Sequence, residues 1–175
     1  MPLTIKHYGH ADAPALREVL LDIHDAVYRD DQDTFHSRAR FAEFVDSWSG
    51  KGSWSCVIGY DGDEAVGFAY GAAFQPGGWW KGSPLPQDYG SEATSFALSE
   101  LMIREGWRKT GASSQLHDAL VSQRAEDRVT LLVDTEHPKV QKLYESWGYR
   151  KVQEQRPFSD SPLFAVMVKD LRNGT

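Results

Sequence analysis

The chain is poor in cysteine, long apolar runs and basic charge. Its single cysteine among 175 residues, Cys56, cannot form an internal disulfide, which fits a reducing compartment. No apolar run is long enough to span a bilayer, and no basic-then-apolar leader is recognisable. We therefore expect a cytoplasmic protein that does not associate with membranes.

The charge balance argues against a nucleic-acid partner. The formal net charge is −6, whereas a phosphate backbone requires a concentrated basic surface. The 41% hydrophobic and 12% aromatic content is typical of a globular protein. A chain of this length buries about two thirds of its unfolded surface. These properties predict a single domain over residues 1–175.

The segment from Glu100 to Leu120 is the most informative part of the chain. An apolar strand that includes Leu101 and Ile103 leads into a basic turn, and an amphipathic helix follows. The backbone N–H groups at the start of a helix have no intrahelical partners, and the helix dipole is positive there. The turn from Arg108 to Ser114 is therefore a candidate phosphate site.

A second apolar strand, from Leu131 to Val133, also precedes a helix. This helix ends in Leu143-Tyr144, and Gly148-Tyr149 follows. Taken alone, Gly148 is typical of a helix C terminus and Tyr144 of a buried helix face. The order of the two motifs and the distance between them carry more information than either motif alone.

Together the two segments resemble motifs A and B of the GCN5-related N-acetyltransferase (GNAT) superfamily. Arg108 and Gly111 match the pyrophosphate loop, while Ser113 replaces its usual Gly or Ala, and His137 stands where Asn is usual. The resemblance implies an α/β (α+β) fold with helices on both faces of one mixed central sheet. It also implies that the sheet is splayed between the motif A and motif B strands.

The resemblance further implies acetyl-CoA as cosubstrate. The pantetheine arm would pair with the backbone of the motif A strand, and the pyrophosphate would lie on the amides of the basic turn. The cofactor-binding residues expected from the resemblance are Leu101, Met102, Ile103, Arg108, Lys109, Thr110, Gly111, Ala112, Ser113, Ser114 and His137.

The implied chemistry is direct transfer of an acetyl group to an amine, which needs a base for the amine and an acid for the leaving thiolate. Tyr144 matches the family's acid by position. We choose Glu100 as the base, although the usual glutamate of the family lies upstream, where this chain has Ala97. Ser95, Ser99 or a chain of waters are alternatives, and Glu100 could equally be an ordinary carboxylate at a strand edge.

Two features suggest an acceptor side. Acidic residues cluster before the second helix and could attract a cationic amine, although a solvated helix face with an acidic loop is the alternative. A long loop carries Trp79 and Trp80, which we predict to bind substrate; a surface flap or a homodimer contact is the alternative. The acidic residues are Asp12, Glu18, Asp22, Asp25, Asp30, Asp31 and Asp33.

No metal site is expected, because His7 and His10 lack a third nearby ligand. The chain is thus predicted to be an N-acetyltransferase, with a noncatalytic acyl-CoA-binding or sensing domain as the alternative. One predicted helix begins after Asp12, and a second spans 34–48. A third contains Leu116, Ala119 and Leu120, and a fourth ends in Leu143-Tyr144. The predicted strands span 3–7, 53–60, 64–74, 98–103, 131–133, 150–156 and 163–171.

Overall fold

The computed structural model describes residues 3–31, 33–90 and 92–171. Its strands are β1 (Thr4–Gly9), β2 (Ser55–Asp61), β3 (Glu64–Ala73), β4 (Ser95–Ile103), β5 (Arg128–Asp134), β6 (Arg150–Gln155) and β7 (Phe164–Asp170). Its α-helices are α1 (Ala13–Val27), α2 (Arg38–Ser49), α3 (Ala112–Val121) and α4 (Pro138–Ser146). No helix among these described residues is both long and apolar enough to cross a bilayer.

The strands form a mixed seven-stranded sheet in the order β1-β2-β3-β4-β5-β7-β6. The β4–β5 pair is parallel and covers only Ser95–Ala97 opposite Arg128–Thr130. In contrast, β5 pairs with β7 along its whole length in antiparallel register. The predicted mixed α/β fold is confirmed, and so is the splay between the motif A strand β4 and the motif B strand β5.

The chain divides into two compact units. The first comprises Met1–Ala72 and Leu98–Arg124, and the second comprises Ala73–Ala97 and Ala125–Thr175. Strand β4 passes from the second unit into the first between Ala97 and Leu98. The single domain expected over residues 1–175 stays a prediction.

The first unit has its core between one sheet face and the helices α1 and α2. Leu20 and Ile23 of α1 and Phe41 of α2 recur at helical spacing and are almost completely buried. They pack in one cluster with Phe68 and Tyr70 of β3. A sequence with two amphipathic helices before a hairpin folds this way because each apolar stripe needs a sheet face to cover it.

The helix starts differ in detail from the sequence predictions. The second helix was predicted from Thr34 but begins at Arg38, because Ser37 is its N-cap and the Ser37 hydroxyl accepts a hydrogen bond from the Arg40 N–H at 3.2 Å. Asp12 does precede α1 as predicted. Its carboxylate, however, accepts from the Gly9 N–H at 2.9 Å and does not cap α1 itself.

On the other sheet face of the first unit, α3 lies close to the backbone of β3. A Cβ atom at Gly67 would lie 2.7 Å from the Met102 carbonyl oxygen and 3.1 Å from Leu116 Cδ1. The first of these contacts involves backbone, which cannot rotate away. Gly67 therefore allows the β4 backbone at Met102 and the Leu116 side chain of α3 to lie close to β3.

We predict that Gly67→Ala lowers the free energy of unfolding by about 1–3 kcal/mol, the usual cost of overpacking a core. Gly9→Ala is the control, because no atom lies within 4 Å of the Cβ position at Gly9. Urea unfolding of the two variants measures the difference. Equal midpoints for both variants would contradict the close approach at Gly67.

Candidate active site

The turn between β4 and α3 has an unusual backbone. Gly111, the N-cap of α3, has a φ of 86°, and Lys109 has a φ of 63°. This left-handed region suits glycine and is uncommon for a residue such as lysine. The chain therefore turns sharply at Lys109 and Gly111 before α3 begins.

The backbone N–H groups of Ser113 and Ser114 have no hydrogen-bond partner in the described ranges. The first backbone bond of the helix runs from the Gln115 N–H to the Gly111 carbonyl at 3.1 Å. Free N–H groups at a helix start attract anions, aided by the positive end of the dipole. The predicted anion site thus has two donors available.

Basic side chains flank these donors. Arg108 and Lys109 are exposed, and neither forms an ion pair with a described residue. Thr110 has turned its hydroxyl back to the Trp107 carbonyl at 2.5 Å, and a Cβ at Gly111 would meet open space. The turn has room for close approach at Gly111, and phosphate binding there stays a prediction.

The predicted pantetheine strand is β4. Its pairing with β5 ends at Ala97, so the backbone of Leu101 and Ile103 takes no part in that pairing. The Met102 side chain is 5% exposed and belongs to the core beneath α1 and α2. Met102 can therefore contact a cofactor only through its backbone.

The register between β3 and β4 changes once along their length. The Arg104 N–H donates to the Val66 carbonyl at 2.8 Å, and the Phe74 N–H donates to the Ser95 carbonyl at 2.9 Å. If the strands pair regularly from the Arg104–Val66 bond inward, Glu100 lies opposite Tyr70. If they pair regularly from the Phe74–Ser95 bond inward, Ser99 lies opposite Tyr70 instead. Strand β4 therefore contains one extra residue between the two bonds, which is a β-bulge.

Glu100 lies in this irregular stretch and is only half-buried. It forms no hydrogen bond or ion pair with any residue in the part of the chain that the structure describes. Burial without a compensating partner raises the pKa of the Glu100 carboxyl to about 8. A carboxylate that titrates near neutral pH is suited to take a proton from an ammonium group.

The other candidates for the base are less suited. The Ser95 hydroxyl accepts from Arg128 Nε at 2.9 Å and is buried, and Ala97 carries no ionisable group. Ser99 faces the Tyr70 hydroxyl from the same stretch of β4 as Glu100. Among these four positions, only Glu100 offers a carboxylate.

Tyr144 and His137 belong to α4. Tyr144 is 8% exposed and packs edge-on against Trp147 and Tyr149, with ring centroids 5.2 and 5.5 Å away. Gly148 has a φ of 99°, as the helix C terminus requires. His137 precedes the helix, is exposed, and has Nε2 3.7 Å from an Asp134 carboxylate oxygen. The roles of both residues stay predictions.

The tryptophan loop is held by its own unit. Trp80 is 8% exposed and donates from Nε1 to the Thr130 hydroxyl at 2.9 Å. Trp79 donates to the Gln153 side chain at 2.9 Å, and Gln153 donates to the Pro84 carbonyl at 2.7 Å. Trp80 is thus a buried anchor of the loop. Trp79 is the more exposed of the two candidates for substrate contact.

The acidic cluster is largely paired. Arg38 contacts Glu18 at 2.7 Å and Asp22 at 3.1 Å, and also the Asp25 carboxylate. Exposed ion pairs of this kind contribute little to stability, but they neutralise charge. Less negative charge remains to attract a cationic amine than the sequence alone implies, and that attraction stays a prediction.

Asp31, Asp33 and His36 offer ligand atoms within 4.8 Å of one another. His36 Nδ1 already lies 3.3 Å from Asp31 and 3.0 Å from Asp33. These are surface groups, and exposed acids often gather in this way without a metal. The expected absence of a metal stays a prediction.

Comparison with known protein families and solved structures gives related findings. The model of an acetyltransferase (GNAT) domain matches residues 88–171. The match covers just under half of the chain, which is therefore similar to this family over that segment. A search of curated protein sequences finds no match.

Solved structures share the fold at low sequence identity. An acetyltransferase from Thermus thermophilus matches with a TM-score of 0.64 and 18% identity over 98% of both chains. The paia N-acetyltransferase from Thermoplasma acidophilum, solved in complex with coenzyme A, matches with a TM-score of 0.58 and 12% identity over 97% of this chain and 99% of that one. An aminoglycoside 6′-acetyltransferase type Ii matches with a TM-score of 0.65 and 19% identity over 98% of this chain and 99% of that one.

Burial of Glu100 has a consequence for stability. The unfolded chain ionises this carboxyl near pH 4.5, whereas the folded chain keeps the proton until about pH 8. Glu100 therefore destabilises the folded state by an amount that grows as the pH rises from 4.5 towards about 8. Above about pH 8 this destabilisation reaches its full size.

We predict that Glu100→Gln matches the wild-type melting temperature near pH 4.5 and exceeds it by about 2 °C or more above pH 8. Calorimetric scans at both pH values measure this difference. Glu64→Gln, at an exposed glutamate that begins β3, is the control and should show no such pH-dependent gain. A lower melting temperature for Glu100→Gln above pH 8 would mean that the carboxylate has a stabilising partner.

Proposed function

We propose that the chain is an acetyl-CoA-dependent N-acetyltransferase that transfers the acetyl group directly to a primary amine of a small-molecule or peptidic substrate. The observation that carries this proposal is the half-buried, unpaired Glu100 on β4, the strand that leads into the anion-binding turn. A purely structural carboxylate would be expected to have a partner, because burial of an unpaired charge is costly.

In this proposal the turn from Arg108 to Ser114 binds the pyrophosphate of acetyl-CoA. The free amides of Ser113 and Ser114 donate to the phosphate oxygens, and Arg108 supplies a positive charge. The backbone of Leu101 and Ile103 binds the pantetheine arm. His137 stands in for the family's asparagine near the cofactor.

Bound acetyl-CoA supplies a thioester that an unprotonated amine can attack. Glu100, once ionised, takes a proton from the ammonium form of the acceptor, directly or through water. Tyr144 donates a proton to the departing thiolate, by its position in motif B. Catalysis then depends on the fraction of Glu100 that is ionised, which grows as the pH approaches about 8.

The acceptor is proposed to be a cationic amine with some apolar surface. Support comes from the exposed part of Trp79 and from the likeness to an aminoglycoside 6′-acetyltransferase, whose name indicates a small-molecule acceptor. The lack of nucleic-acid and membrane partners stays a prediction, as do cytoplasmic location and homodimer formation.

The anion site gives the first prediction of this proposal. Gly111→Val should weaken coenzyme A binding about tenfold or more, because a branched side chain is strained at this φ and occupies the space left for the phosphates. Isothermal titration calorimetry measures the affinity. Gly62→Val is the matched control, since Gly62 has a φ of 63° and equally open surroundings in the β2–β3 turn. Equal affinities in the two folded variants would exclude this turn as the site.

Release of free thiol from acetyl-CoA in the presence of a panel of amines tests the function itself. We expect amine-dependent release whose kcat/KM rises about tenfold per pH unit below the pKa of Glu100 and then levels off. Glu100→Gln should lower kcat by about 10²-fold or more and abolish that rise. A domain that only binds or senses acyl-CoA would bind coenzyme A and release no thiol with any amine. That outcome would overturn the proposed activity.

A further inference from the structure

Tyr70 is a fully buried tyrosine whose hydroxyl has no hydrogen-bond partner of acceptable geometry in the described ranges. Its ring stacks near Phe68 and packs against Trp54, with centroids 5.9 and 5.6 Å away. An unpaired buried hydroxyl destabilises the folded state, so phenylalanine would be the better residue here for packing alone. Core packing therefore does not explain why this position carries a tyrosine hydroxyl.

The register of β3 and β4 gives its location. Counting from the two flanking bonds brings Tyr70 opposite Glu100 in one register and opposite Ser99 in the other, and the Tyr70 phenol interacts with both of these side chains. The Tyr70 hydroxyl and the Glu100 carboxylate interact electrostatically, although no hydrogen bond joins them. Ser99 is the side chain that contacts the Tyr70 hydroxyl, and the hydroxyl proton has no acceptor of good geometry in the described ranges. The Glu100 carboxylate, when ionised, is an acceptor without a donor.

The other titratable groups of this core add no charge near neutral pH. Burial raises the pKa of the Cys56 thiol, which lies on β2 opposite Tyr70, and burial lowers the pKa of the His24 imidazole on α1. Both groups are therefore neutral. Burial, followed by the charge of Glu100, raises the pKa of Tyr70, so the phenol keeps its proton and can donate it.

We propose that Tyr70 is the positioning residue for the base: its hydroxyl donates a hydrogen bond to the Glu100 carboxylate when that carboxylate is ionised. A rotation of the half-buried Glu100 side chain forms this bond, and protonation of Glu100 releases it. The bond holds the ionised carboxylate on the β3 side of the bulge. The proposal rests on Glu100 as the base, but the pairing itself can be measured without any turnover.

The direct test is a ¹³C NMR titration of the glutamate carboxyls, with Glu100 assigned by the loss of its resonance in Glu100→Gln. Because Tyr70→Phe removes the donor, the Glu100 pKa should rise by about one unit or more above the wild-type value. Tyr60→Phe is the control, since the Tyr60 hydroxyl already pairs with that of Tyr8 at 2.9 Å.

The kinetic readout is the midpoint of the pH profile of kcat/KM, which should move upward by the same amount in Tyr70→Phe and stay in place in Tyr60→Phe. Tyr70→Phe should melt no lower than wild type near pH 4.5, because an unpaired hydroxyl is lost. An unchanged Glu100 pKa in a folded Tyr70→Phe protein would overturn the pairing, whatever the enzyme acetylates. If no amine is acetylated but the pKa moves as expected, the proposed function fails and the pairing stands.

Discussion

The backbone pairing of β4 determines most of what is distinctive about this protein. One edge of β4 follows β3, while the other edge follows β5 over only three residues. Strand backbones left out of a ladder must find other partners, since an unpaired buried amide or carbonyl is costly. The same strand carries a bulge, presents Glu100 and leads into the turn with free amides. A regular, fully paired β4 would offer none of these features.

The sequence predicted the strands, the helices and the basic turn because their signals are local. Apolar periodicity, a glycine at a left-handed position and a Leu-Tyr followed by Gly-Tyr can all be recognised within a few residues. The start of α2 was wrong by four residues because Ser37, and not Thr34, is the residue whose hydroxyl reaches a free amide. Glu100 was selected from its place on the strand, and its raised pKa agrees with that selection.

What the sequence could not predict depends on distant pairings. Tyr70 looks like any aromatic in an apolar strand, and only the register with β4 brings it opposite Glu100. Arg38 is one basic residue among many until the fold brings it against the carboxylates of Glu18, Asp22 and Asp25. Likewise, nothing near Trp80 in the sequence indicates that Thr130, fifty positions later, accepts its N–H. Such contacts are properties of the fold and not of any short segment.

The Thr130 hydroxyl accepts from the Trp80 indole and donates to the Met167 carbonyl, both at 2.9 Å. A single buried hydroxyl thus ties the tryptophan loop to the ladder between β5 and β7. Many enzymes have a lid whose opening limits the rate of turnover. A loop fastened at Trp80 cannot swing as such a lid without breaking buried hydrogen bonds. Movement of the Trp80 segment away from the sheet would therefore require the bond between the Trp80 indole and Thr130 to break.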